Sequence, residues 1–422
     1  MPSMRFISTV ILLIALAFSS ACVMAADSTP PQYLFLNRAP GPDWYQNNPE
    51  TITDKLFLDP FVSVSRVTDG KFVIGQSFVF SCLNGPPAVI QDSLRRILAT
   101  SQRLKVPVLI VLDCQNWWDY RTDLWNWWDV QQKGYNPLNV QNVEWTGPGP
   151  QYALKGAWRN WGRQVRVVPP PNLYSPAFRA ASKEAIVPML AILKEWFADL
   201  PAGEKYLFPG VKLGWEASVG INAYSYPDGS KFFEPDAAGA LKEPDSGLEL
   251  SRGLFGGLQP QGYSALTAMG RKPGVSYTVT RKDLEDIAGG YLNFLCSLAH
   301  RAGFNRRYVF THAGGQFAPY DQHVSHGVAM NEYATPGWSL YGVMPDKAGD
   351  LAETLRKHGV EDWCAAEWLP AASTAAEWSK SILETLEFKH CRFISVYNWE
   401  GIRGNSAALE GIELARSAPV RH

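Results

Sequence analysis

The sequence predicts an α/β chain folded as a (β/α)8 barrel, and three observations carry that expectation. Eight short apolar runs of strand character alternate with segments of helical period. The clearest run, Val106 to Asp113, is apolar almost without interruption, which calls for cover on both faces as in a parallel sheet. Right-handed strand-helix-strand connections would then close the sheet on itself as a TIM barrel.

The elements follow in order. Arg5 precedes an apolar stretch, Phe6 to Phe18, too short to span a bilayer, and Val23-Met24-Ala25-Ala26 fits peptidase cleavage. Residues 1–25 are therefore expected to be a signal peptide, placing the protein outside the cell or in the periplasm without stable membrane insertion. Residues 26–422 are expected to form a single domain. A proline-rich segment (Pro30, Pro31, Pro40, Pro42) leads to strand one at Phe72–Phe78 and a helix over 88–104, with Val89, Ile90, Leu94, Ile97, Leu98 and Leu104 at helical spacing. Strand two is Val106–Asp113, and Val165–Val168 is a weaker strand three. Ser175-Pro176 supplies a cap and first-turn proline for a helix to about Leu200, with Pro188 inside it. Strand four is Val211–Glu216.

Thr280, three residues before Asp283, opens the next helix, whose buried face is marked by Leu284, Ile287, Ala288, Tyr291, Leu295 and Leu298. Strands five, six and seven are Tyr308–His312, Trp338–Val343 and Trp363–Glu367, with a short helix over 347–358. Thr374 and Glu377 form a capping box for the helix carrying Trp378, Ile382 and Leu386. Strand eight, Phe393–Tyr397, and a helix over 406–416 end the pattern. Two connections are far longer than the rest, 114–162 after strand two and 217–279 after strand four. In a barrel both would build the face at the C-terminal strand ends, where active sites sit.

Composition excludes several classes. The formal charge is −1, and loss of residues 1–25 removes only Arg5 and takes it to −2. Without a Lys/Arg run, nucleic acid is not an expected partner. Cys82, Cys114, Cys296, Cys364 and Cys391 lack CxxC spacing, and an odd number leaves at least one unpaired or paired between chains; most read as small buried hydrophobes. There is no GxSxG, P-loop or GxGxxG motif, and no cofactor is expected.

Glu216 and Glu367 each close an apolar strand. An ionised carboxylate pointing into a packed core carries a large desolvation penalty, which a position at the rim avoids. Two such groups at one rim suit glycosidic bond cleavage, where one carboxyl protonates the departing oxygen and the other attacks the sugar carbon or activates water there. The alternative for each glutamate alone is a structural ion pair. Asp113 and His312, at the ends of strands two and five, would face the same site, to bind sugar hydroxyls or orient a glutamate. Asn398 and Glu400 are weaker candidates of that kind. Eight of the sixteen tryptophans fall between Trp117 and Trp161, among them Trp118, interleaved with Asp119, Asp123, Asn126 and Asp129. Indole faces stack on sugar C–H faces while carboxylates and amides take the hydroxyls, so a carbohydrate is the expected partner. Packing of the loop onto the barrel would account for about half of these tryptophans.

These residues resemble the retaining glycoside hydrolases of clan A, whose barrels carry the acid/base on strand four and the nucleophile on strand seven. The resemblance covers the layout from about residue 70 to 416 and identifies no family within the clan. It implies that Glu216 is the acid/base and Glu367 the nucleophile. It further implies that Tyr341, with Tyr333 as competitor, bonds the nucleophile, and that Trp399 floors the subsite of the cleaved sugar. The clan usually has Asn directly before the acid/base, contacting the sugar 2-hydroxyl; here Trp215 stands there, so another residue must make that contact. Two other classes compete. A metal-dependent hydrolase would use His312, His323 and His326 with Asp113 or Asp321, but it usually has an early His-x-His, and no histidine precedes His300. A catalytically inactive glycan-binding barrel would keep the aromatics without requiring both glutamates. The long loops suggest a closed pocket and exo action.

Overall fold

A computed structural model describes residues 31–38, 44–66, 71–160, 164–220, 223–225, 258–314, 316–317, 320–323 and 325–419, and only the backbone at 160, 164–165, 316–317 and 320–323. Residues 1–31 and 32–422 are separate units. The expected signal peptide lies outside the described residues, as do 226–257 of the second long connection, Trp161, and the side chains of Asp321 and His323.

Residues 32–422 contain a closed eight-stranded parallel barrel. Its strands are β1 (Tyr33–Arg38), β2 (Val73–Ser81), β3 (Val108–Asp113), β4 (Val211–Ala217), β5 (Val309–Ala313), β6 (Gly337–Tyr341), β7 (Trp363–Leu369) and β8 (Cys391–Val396), with β1 closing the ring between β8 and β2. The count and the places of β4 and β7 match expectation, but the structure differs from it at two strands. The first barrel strand is Tyr33–Arg38, a wholly buried YLFLNR run between prolines. Residues 165–167 belong to an antiparallel hairpin, Ala157–Asn160 with Gln164–Val167, outside the barrel. Their alternation of apolar and polar residues is that of a strand with one face exposed. The expected strands one and two are therefore β2 and β3, and the tryptophan-rich connection follows the third barrel strand. Since β3 pairs with β4, the two long connections spring from neighbouring strands. They are tied by a two-way backbone bridge between Trp158 and Tyr224, with N···O distances of 2.9 and 3.0 Å.

The main helices are α1 (Pro87–Leu104), α2 (Pro176–Asp199), α3 (Arg281–Arg301), α4 (Leu351–Lys357), α5 (Ala375–Glu387) and α6 (Ser406–Ser417). Both capping boxes form, Thr280 with Asp283 and Thr374 with Glu377. Helix α2 runs unbroken through Pro188. All five described cysteines are buried free thiols. No helix among the described residues is long and apolar enough to cross a membrane.

Inside the barrel, Phe35, Leu109, Phe310 and Phe393 form an apolar layer, with Phe393 meeting Phe35 and Phe310 edge-on at 5.6 and 4.8 Å between centroids. Side chains alternate along a strand. Two residues further along β1 and β5, toward the C-terminal ends, the same inward positions are therefore taken by the polar Asn37 and His312.

Candidate active site

The site sits on that polar layer. Glu216 is half-buried near the end of β4, where Gly214 (φ +80°) and Glu216 itself (φ +49°) leave the extended conformation and the pairing with β5 shifts register. A left-handed glutamate is strained and is held only where its surroundings over-determine it, as happens at functional sites. Glu367 on β7 lies beside Ser339 of β6 after another register shift and is 1% exposed. These irregularities re-aim both side chains toward the barrel mouth.

One hydroxyl joins the carboxylates. Tyr341 Oη lies 2.9 Å from Glu367 Oε2 and 3.2 Å from Glu216 Oε1, and its single proton serves one at a time. Trp215 Nε1 donates to Glu367 Oε2 at 3.3 Å, and Asn37 Nδ2 donates to Oε1 at 3.4 Å. Ser339 Oγ donates to Glu216 Oε1 at 2.8 Å and lies 2.8 Å from His312 Nε2, itself 3.9 Å from Glu367 Oε2. Ligand-capable atoms of Glu216, His312 and Glu367 all fall within 4.8 Å of one another.

Charge in this enclosure is balanced by Lys212, buried on β4, whose Nζ donates to the Ala366 carbonyl at 2.7 Å. Burial, then the negative charge of Glu216, pushes the Glu367 carboxyl up; Lys212 and the bonds from Tyr341 and Trp215 oppose this. Burial lowers the Lys212 ammonium against the pull of Glu367, Cys364 and Glu216. Burial and the Lys212 charge hold His312 well below the usual imidazole range, so its ring is neutral.

Asp113 ends β3 fully buried, pushed up to about 6 by burial. Its Oδ2 accepts from the Asn116 N–H at 2.8 Å, while Asn116 Nδ2 donates to the Trp215 carbonyl at 2.6 Å. Arg159, also buried, donates to the Asn116 carbonyl at 2.8 Å and lies 4.1 Å over the Trp117 ring. Asp113 thus braces the loop behind Trp215.

Of the residues expected to carry the site, Glu216, Glu367, Tyr341, His312 and Trp215 come together. Asn398 joins their edge, its Oδ1 accepting from Asn37 at 3.5 Å. Trp117 is half-buried beside Arg159. Trp118 and Trp399 overturn the expectation placed on them. Trp118 is 1% exposed and donates to the Pro169 carbonyl at 3.0 Å. Trp399 is 2% exposed and donates to Asp59 at 2.7 Å. Neither has a ring face open to a sugar. Of the other loop tryptophans, Trp125, Trp145 and Trp158 are buried, and Trp127 and Trp128 half-buried. Glu400 pairs with Arg38 at 3.1 Å. The histidine grouping expected for a metal does not form among the described side chains, since His326 binds Asp350 at 2.5 Å.

Sequence reasoning missed Asn37, Lys212 and Ser339. Lys212 carried a readable signal, a lysine between Val211 and Leu213 in a buried strand.

No protein-family model matches the chain, and no curated protein matches it. Among solved structures, the chain is similar to the catalytic domain of β-amylase from Paenibacillus polymyxa, at 8% identity and a TM-score of 0.40, covering 92% of this chain and 99% of that one. It is also similar to a ruminal GH26 endo-β-1,4-mannanase, at 10% identity and a TM-score of 0.41, covering 92% of this chain and 63% of that one. A third is the catalytic domain of the Bacillus sp. JAMB-750 GH26 endo-β-1,4-mannanase, at 10% identity and a TM-score of 0.40, covering 90% and 85%.

Proposed function

We propose that this chain is an exported glycoside hydrolase that cleaves O-glycosidic bonds in an oligo- or polysaccharide with retention of configuration. The observation that carries the reading is the spacing of Glu216 and Glu367, whose facing oxygens lie within 4.8 Å and share the Tyr341 hydroxyl. Retaining enzymes hold their carboxyl groups about 5–5.5 Å apart, whereas inverting ones leave roughly 6.5–9.5 Å for a water. Export rests on the character of residues 1–25 alone.

A second carboxylate this close opposes the ionisation of Glu367. Glu367, gripped by Asn37, Trp215 and Tyr341, is the fixed partner and attacks the anomeric carbon in its ionised form, which Lys212 and these donors favour against burial and the Glu216 charge. Glu216, less buried, donates a proton to the leaving oxygen and then deprotonates the water that releases the sugar. Trp215 occupies the place of the clan's asparagine but bonds the nucleophile, so contact with the 2-hydroxyl falls to another group. Trp117, Trp127 and Trp128 supply the half-buried indoles for flanking sugars.

The test uses Glu216→Gln and Glu367→Gln on a panel of aryl glycosides. Glu367→Gln should be inactive on every member. Glu216→Gln should keep kcat/KM on dinitrophenyl glycosides, whose leaving group needs no acid, with a low kcat because the water is no longer deprotonated, and should lose kcat/KM on phenyl glycosides. Appreciable turnover by Glu367→Gln sinks the nucleophile assignment, and an inverted product sinks retention. Because Glu216, His312 and Glu367 could each give one atom to a metal, a second reading is a cation-dependent hydrolase at the same site. Activity lost to chelator and restored by a divalent cation would favour it.

A further inference from the structure

On the reading of Glu216 as acid/base, we propose that His312, acting through Ser339, fixes which oxygen of Glu216 carries the transferable proton: Oε1 stays an acceptor in both ionisation states, and the proton resides on Oε2. The chain runs from His312 Nε2 to Ser339 Oγ at 2.8 Å and from Ser339 Oγ to Glu216 Oε1 at 2.8 Å. Ser339 has one proton, so it can donate in only one direction. A neutral imidazole likewise has one N–H, and its place decides the direction.

His312 is 0% exposed, and its Nδ1 is buried with no hydrogen-bond partner among the described residues. A buried N–H left unmade is expensive, and a bare lone pair is tolerated better. The proton therefore sits on Nε2 and is donated to Ser339 Oγ, which turns the Ser339 proton toward Glu216. For Oε1 to donate to Ser339, the serine would have to turn to Nε2 and the ring would have to move its proton to Nδ1, where nothing receives it. A carboxylic acid also accepts better at its carbonyl oxygen than at its hydroxyl oxygen, so the serine bond keeps Oε1 as the carbonyl. The charged and titratable groups around Glu216 are Lys212, Glu367, Tyr341, Tyr397 and Arg159, besides His312. Of these, Tyr341 also lies at Oε1, at 3.2 Å, with one proton to serve both carboxylates. His312 and Ser339 are positioning residues.

Histidine-labelled protein, observed by 15N-edited NMR with His312 assigned by its loss in His312→Asn, tests this without substrate. The expected result is a neutral ring protonated at Nε2 and bare at Nδ1 over the whole pH range of the folded protein. A ring protonated at Nδ1, or an imidazolium, overturns it. Ser339→Ala should lower kcat/KM on phenyl glycosides by on the order of ten- to a hundredfold, part of the 10²–10⁴-fold that a positioned acid supplies, and lower it by a clearly smaller factor on dinitrophenyl glycosides. Ser339→Thr should restore the loss, whereas equal loss on both substrate types overturns the proposal. Failure of the functional reading is separable, since Glu216→Gln would then show no leaving-group dependence at all.

Discussion

Glu367 at the barrel mouth and Glu144 in the loop after β3 are both wholly buried carboxyls pushed up from their ordinary values, yet their surroundings differ in kind. Glu144, raised to about 7, accepts from neutral donors, among them the N–H groups of Trp145 and Gly262 and the Ser264 hydroxyl at 3.0 to 3.3 Å. Through them it clamps the loop after β3 to the segment after β4. Glu367 has a second carboxylate, a buried ammonium and three side-chain donors. Desolvation alone therefore marks a structural carboxyl as readily as a reactive one; opposed charges within the same enclosure separate the two.

The largest effect that would break this contrast is on turnover. Glu367→Gln should lower kcat by about 10³-fold or more, while Glu144→Gln leaves the activity per folded molecule near wild type. Comparable losses from both, measured after correcting for the folded fraction, would erase the distinction.

Stability comes next. Because burial raises Glu144 from 4.5 to about 7, the folded state binds more protons than the unfolded chain across that window, so its stability falls as pH rises through it. Relative to Glu144→Gln, the wild type should lose about 3 kcal/mol between pH 4.5 and 7, read from urea unfolding midpoints. A flat difference would mean that the carboxyl is not desolvated as the structure describes.

Lys212→Met sharpens the comparison from the other side. Without its cation, Glu367 ionises less readily, so the acidic limb of the kcat/KM profile should move to higher pH. The same substitution should not change the pH dependence that belongs to Glu144. The smallest effect expected is at Trp128, half-buried with Nε1 on the Lys155 carbonyl at 3.0 Å: Trp128→Ala should raise KM severalfold with kcat unchanged.

The glutamates were legible because a charge closing an apolar run has few places to go but a rim. The helix starts were legible because capping boxes are local. Tyr33–Arg38 was obscured by Pro30, Pro31, Pro40 and Pro42, which give it the look of a linker although YLFLN is as apolar as any strand here. Trp118 and Trp399 show a different limit. A tryptophan declares its size in sequence, but whether its ring turns to the core or to the cleft depends on partners such as Pro169 and Asp59 that distant chain brings to it. Ser339 and Asn37 are small polar residues whose importance exists only once β4, β6 and β7 stand side by side.

The strand that sequence reasoning passed over has a bearing on the order of assembly. Residues 33–38 leave the ribosome first among the strands and 391–396 last, yet they pair, Tyr33 beside Phe393 and Leu36 beside Val396. Joining chain segments so far apart carries the greatest loop-closure entropy of any contact in the ring, which places this seam late in folding. Asn37 crosses it to reach both Glu367 and Asn398. The event that completes the barrel therefore also completes the grip on Glu367, and a chain still being synthesised carries both glutamates without that grip.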